Sequence, residues 1–227
     1  MTEQEFLTTI AQALGRDKPL TKAPERKDLG PPAFWREQNK YEDKKIEIFK
    51  NNLEALTGRF VLLKTAQEVQ EQLKNWLMEL NADEILCWDH PELKKIAQPE
   101  NLDAKIHYWH KDASREELIK IGNKAKVGLT WADFGVAYTG TLALYALPNQ
   151  GRSVSLLPEV HIAILNRSQI VPTMSTVCQE IKKRHGTNTM PSCINFITGP
   201  SRSADIEMDL SIGVHGPYKV WVIIVDS

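Results

Sequence analysis

Residues 59–88, RFVLLKTAQEVQEQLKNWLMELNADEILCW, decide how this chain folds. Phe60–Lys64 reads as a short apolar strand. Thr65 and Glu68 then stand at the spacing of a capping box, in which each side chain satisfies a backbone N–H at the start of a helix. The helix they open, Ala66–Leu80, carries Val69, Leu73, Trp76, Leu77 and Leu80 at intervals of three and four, which makes one apolar side. Glu84–Trp88 is a second apolar run. Strand, amphipathic helix and strand in close succession are the unit of a mainly parallel sheet covered on both faces.

Downstream the alternation continues. Lys105–Trp109 reads as a strand, and Ser114 with Glu117 caps a helix reaching about Gly122. From Val127 the pattern tightens into short β-type runs: Val127–Thr130, Phe134–Tyr138, Thr141–Ala146, Ser153–Leu157 and His161–Leu165. Met174–His185 reads as a helix that Gly186 can close, and Ile194–Thr198, Leu210–Val214 and Val220–Val225 as the last strands. Upstream, Thr2 and Glu5 cap a short amphipathic helix built on Phe6, Leu7, Ile10 and Leu14, and Gly15 can end it. Asp17–Pro32 holds four prolines among many charges, the composition of a linker or an arm. Ile46, Phe49, Leu53 and Leu56 then space a second helix, stopped by Gly58. The expected organisation is an N-terminal extension of helices and proline-rich linker over residues 1–58. An α/β domain with a mixed, mainly parallel sheet flanked by helices follows over residues 59–227.

Composition bounds the function. The 227 residues are 42% hydrophobic and 25% charged with a net charge of −1, so no global field favours nucleic acid or an anionic membrane surface. No apolar run approaches the ~20 residues of a membrane span, and Met1–Gly15 lacks the layout of a signal peptide, which makes the cytoplasm the expected location. Three cysteines, Cys87, Cys178 and Cys193, stand far apart without a Cys-x-x-Cys, and a dinucleotide-type glycine fingerprint is absent. No cofactor is therefore expected: an iron–sulfur cluster needs four organised ligands. No metal is expected either, because His107 and His110, three apart on a strand ending, point to opposite faces.

Four segments combine glycine, hydroxyl and charge near strand ends, where open α/β sheets assemble ligand sites. Thr139-Gly140-Thr141 offers two hydroxyls and close backbone approach, suited to a carboxylate or phosphate. In Pro158-Glu159-Val160-His161, alternation along an extended chain puts Glu159 and His161 on one face as a candidate acid/base pair. Thr198-Gly199-Pro200-Ser201-Arg202-Ser203-Ala204-Asp205-Ile206-Glu207 supplies hydroxyls, a bidentate guanidinium and returning carboxylates. A polar loop with Arg202 paired to Asp205 remains the alternative there. Gly213-Val214-His215-Gly216-Pro217 holds an imidazole in a small-residue setting. The candidate catalytic groups are Glu159, Asp205 and His215. The candidate anion-binding groups are Thr139, Gly140, Thr141, His161, Ser201, Arg202 and Gly216.

These four segments, in this order, resemble the lactate utilization protein C family, also called the LUD domain. The resemblance runs from about Arg59 to the C-terminus. It implies a fold like that of ribose-5-phosphate isomerase and the coenzyme A transferases. It further implies a place in a three-protein system that oxidises L-lactate to pyruvate, whose other members carry iron–sulfur motifs and would be the partners. Two classes of function stay open. In one, the chain is a non-redox subunit that binds a small anion such as lactate, pyruvate or a phosphate. In the other, it is a stand-alone enzyme acting on a phosphorylated or acyl substrate.

Overall fold

In the computed structural model, residues 1–20, 22, 25, 42–185, 190–204 and 210–226 are described. Residues 21, 23, 24 and 26–32 of the proline-rich stretch, the expected helix stop Gly186, and Asp205, Ile206 and Glu207 lie outside them. The chain divides into two compact units, Met1–Glu37 and Gln38–Ser227. The first contains α1 (Glu3–Ala13), opened by the Thr2/Glu5 capping box. The second takes in the helix that the sequence groups with the N-terminal extension.

That second unit runs α2 (Lys45–Ala55), β1 (Arg59–Leu63), α3 (Ala66–Leu80), β2 (Glu84–Trp88), α4 (Pro91–Ile96), α5 (Pro99–Leu102), β3 (Lys105–Trp109), α6 (Arg115–Lys124), β4 (Val127–Trp131), β5 (Phe134–Val136), β6 (Thr141–Ala146), α7 (Ser153–Leu156), β7 (Val160–Asn166), β8 (Ile170–Val171), α8 (Met174–His185), β9 (Cys193–Ile197), β10 (Arg202–Ala204), β11 (Leu210–Ile212) and β12 (Lys219–Val225). Six strands form one all-parallel sheet in the order β1-β12-β7-β4-β2-β3. Strands β4 and β7 are buried along almost their whole length, as central parallel strands covered on both faces must be. A second sheet, β8-β5-β6-β9, is mixed. The expected α/β class with a mainly parallel sheet is what forms.

Three local expectations need correction. Ser153–Leu157 is not a strand but the helical turn α7. It lies over Gly128 of β4 so closely that a Cβ there would stand 1.8 Å from the Val154 carbonyl oxygen. Phe134–Tyr138 is extended only to Val136, after which Ala137–Thr139 forms a 3-10 turn. Leu210–Val214 ends at Ile212 and pairs with β10 as a separate hairpin, outside both larger sheets.

The parallel sheet has two chemically different edges. Glu159 and Tyr218 precede β7 and β12, and the Tyr218 N–H donates to the Glu159 carbonyl at 2.7 Å, so both sit at the amino edge. Trp88 and Trp109 end β2 and β3, register with each other, and mark the carboxyl edge.

Candidate functional site

Helix α2 is the platform for the polar segments singled out by sequence. Its Phe49 and Leu53 are fully buried, each contributing about 1.5–3 kcal/mol of apolar burial. The Asn52 amide donates to the carbonyls of Ala137 (2.9 Å) and Tyr138 (3.0 Å), tying the 3-10 turn to the helix. Gly140 follows at φ 64°, and a Cβ there would lie 2.6 Å from the Leu53 nitrogen. Only glycine lets the turn sit this close. The result is a chain of hydroxyls: Thr139 Oγ1 is 2.6 Å from Thr141 Oγ1, which is 2.8 Å from Thr198 Oγ1. Thr141 is buried, whereas Thr139 and Thr198 reach the surface.

A second set begins at Ser201, three residues beyond Thr198. The Ser201 backbone exchanges hydrogen bonds with Gly213 and Pro217, and its hydroxyl accepts the His215 N–H at 3.3 Å. Gly216 approaches the Ser201 side chain, where a Cβ would meet it at 3.3 Å. Arg202 Nη2 donates to the Leu56 carbonyl at 2.7 Å and to Thr57 Oγ1 at 3.2 Å. A cation there satisfies a carbonyl left open at the helix end and favours its dipole. Thr139 and Thr141 on one hand, and Ser201, Arg202, His215 and Gly216 on the other, therefore belong to two hydrogen-bonded sets, both docked on α2.

The expected Glu159–His161 pair does not form. Glu159 precedes β7 and its side chain is exposed. His161 is fully buried between β4 and β12, with Nε2 2.8 Å from Thr130 Oγ1 and Nδ1 without a hydrogen-bond partner. Burial pushes its pKa down to about 3, so it is a neutral core histidine rather than a surface anion ligand. His215 lies three positions past the end of β11, in the loop that leads into β12, and its ring is exposed. The alternative pairing of Arg202 to Asp205 is not described, Asp205 lying outside the described residues. His107 bonds Glu84 at 2.8 Å, and His110 stands 3.6 Å from Asp89.

The carboxyl edge holds residues that sequence reasoning passed over. Asp89 pairs with Lys94 at 2.5 Å, and His90 stacks on Trp131 with centroids 5.5 Å apart. Trp109, Lys111, Gly151, Arg152 and Ser153 line a cleft beside them. The runs Trp88-Asp89-His90 and Trp109-His110-Lys111 after apolar strands were the available signal. The strand reading of Ser153–Leu157 hid the other wall.

Residues 46–225, the two sheets and the helices around them, match the family model of the LUD domain. The chain belongs to the LUD domain family. Its relatives include Lactate utilization protein C of Geobacillus sp. (strain WCH70), 36% identical over 97% of this chain and 94% of that protein. That of Bacillus subtilis (strain 168) is 32% identical over 99% and 96%. The crystal structure of a DUF162 family protein from Deinococcus radiodurans superposes with a TM-score of 0.58 at 21% identity, covering 81% of this chain and 97% of that one. That likeness speaks for the fold shared within the LUD domain family.

Proposed function

We propose that this chain acts in L-lactate utilization as a subunit without redox chemistry of its own, in a three-protein system that oxidises L-lactate to pyruvate with iron–sulfur proteins as partners. The near full-length similarity to proteins named Lactate utilization protein C supports the role. The observation that carries the binding part is the joint docking of the Thr139–Thr141–Thr198 hydroxyl chain and the Ser201/Arg202 loop on α2. Hydroxyls and a guanidinium can hold a small carboxylate. Among the described residues Arg202 uses one terminal nitrogen, on Leu56 and Thr57, and the rest of its planar fork can meet a ligand or a partner's carboxylate. Of the candidate bases that are described, Glu159 and His215 have exposed side chains with no side-chain partner among the described residues, an arrangement better suited to binding than to proton transfer.

The test is growth on L-lactate as sole carbon source after deletion of the gene and complementation. Wild-type chain should restore growth. Arg202→Lys keeps charge but loses the planar fork. It should weaken binding by about 1.5–3 kcal/mol, roughly 10- to 150-fold, and slow growth while the protein accumulates normally. Normal growth of the deletion strain on L-lactate would end the reading.

A further inference from the structure

The cleft at the carboxyl ends of β3 and β6 is independent of the lactate reading and lies at the edge of the parallel sheet where open α/β folds gather ligands. Its volume is about 650 Å³, within the usual range of small-molecule sites. Its walls are held firmly. The Trp88 indole N–H donates to the Gly151 carbonyl at 2.9 Å, the Asp89 N–H to the Asn149 carbonyl at 3.2 Å, and the Lys111 N–H to Asn149 Oδ1 at 3.4 Å. The 147–152 segment is thus fastened to the strand ends, and α7 continues from it. Gly151 lies against the Trp109 ring, where a Cβ would stand 2.1 Å from a ring carbon.

The chemistry of the lining points one way. Lys111 and Arg152 line the cleft, and neither has a carboxylate within salt-bridge distance among the described residues. Among the described residues no aspartate or glutamate lines it. Asp89 is already engaged by Lys94 and His110. Leu147, Leu156 and Leu157 are 39%, 40% and 47% exposed and contribute apolar wall. Ser153, also in the lining, has a buried hydroxyl without a hydrogen-bond partner, a group that a ligand would satisfy. Two cations without an ion-pair partner among the described residues, lining one cleft with an indole and leucines, fit an anionic head joined to an apolar body larger than a three-carbon acid.

We propose that this cleft binds an organic anion with a flat or aliphatic apolar body, its charge met by Lys111 and Arg152 and its body laid on Trp109, Leu147 and Leu156. The full chain should therefore take up 8-anilinonaphthalene-1-sulfonate saturably at one site per chain. Its uncharged relative N-phenyl-1-naphthylamine should bind more weakly. Lys111→Gln and Arg152→Gln should each weaken sulfonate binding about tenfold, Arg152→Lys less, and all should leave the uncharged dye unaffected. Gly151→Ala, which drives the Trp109 ring away, should weaken both dyes. Thermal midpoints equal to wild type for the two glutamine variants would show that the fold is intact. Arg202→Lys should leave dye binding unchanged, which separates this site from the lactate reading. Equal sulfonate affinity in wild type and the Lys111→Gln/Arg152→Gln double variant, or binding that does not saturate, would overturn the proposal.

Discussion

His161 shows how one residue type changes meaning with its place in a sheet. In the sequence it alternates with Glu159, and on a half-exposed strand the two would share a face. β7 is central and covered on both sides, so alternation there has no solvent face, and the imidazole enters the core against Thr130. Proximity of the two residues in the chain was legible; strand position in the sheet was not, because it depends on pairing with β4 and β12. Burial lowers the His161 pKa to about 3, while the unfolded imidazole titrates near 6.5. Between these values the unfolded chain binds the extra proton, so this residue costs stability as pH falls, up to about 1.4 kcal/mol per pH unit. Asp133 acts in the opposite sense. Burial raises its carboxyl to about 6, although it accepts the Tyr145 N–H at 2.8 Å. The native state then holds a proton that the unfolded state has released, and stability contributed by this group grows as pH falls from above 6 towards 4. The two effects oppose each other in one window, so single variants are needed to see them. Urea midpoints at pH 7, 5.5 and 4 should fall less steeply for His161→Gln than for wild type, and more steeply for Asp133→Asn. A His161→Gln profile parallel to wild type would show that the buried imidazole is not the acid-sensitive group.

Among the elements, α2 has the largest bearing on the candidate site. Its apolar spacing was readable from Ile46, Phe49, Leu53 and Leu56, but its destination was not, since periodicity says which side is buried and not against what. The destination is the 139–141 turn and the loop after β9. Asn52 holds the first through two carbonyls, and Arg202 of the second caps the helix end. Asn52→Ala should cost about 1–3 kcal/mol through the lost hydrogen bonds. Gly140→Ala should cost more: the left-handed backbone is worth about 1–2 kcal/mol against a side chain, and the new Cβ meets the Leu53 backbone nitrogen, which cannot swing aside. In a domain this size each kcal/mol lowers the thermal midpoint by about 2–4 °C. A Gly140→Ala midpoint lowered by no more than the backbone cost alone, about 2–8 °C, would mean that α2 is not pressed on the turn. The misread element, α7, teaches the same lesson in reverse. Five residues with apolar alternation fit a strand or a helical turn equally well, and Gly128, 26 positions upstream of Val154, is what admits the turn onto the sheet.

For the molecule as a whole, the strand–helix–strand unit at residues 59–88 announced the parallel sheet, and the four polar segments announced the family. The sheet order was out of reach of the sequence, and with it the knowledge that residues 213–217, just past β11, lead into β12 at the amino edge of the parallel sheet. That placement puts the threonine, serine and arginine sets away from the carboxyl-edge cleft, leaving two separate regions with different chemistry. The proposed absence of redox chemistry rests on the cysteines. Cys87 is buried in β2, where burial pushes its thiol far above the usual range; Cys178 is exposed on α8, and Cys193 is half-buried on β9. A buried thiol held protonated is a poor metal ligand, because ligation needs the thiolate. Three thiols on three elements also fall short of the four ligands of a cluster. Purified by itself, the chain should be colourless after desalting and should not reduce an artificial electron acceptor with L-lactate. Acceptor reduction should begin when the iron–sulfur partner proteins are added, and the added chain should raise the rate above that of the partners alone. A stoichiometric visible chromophore that survives desalting, or turnover by the isolated chain, would refute the non-redox assignment. Partners that reach the same rate without this chain would remove it from the oxidation step altogether.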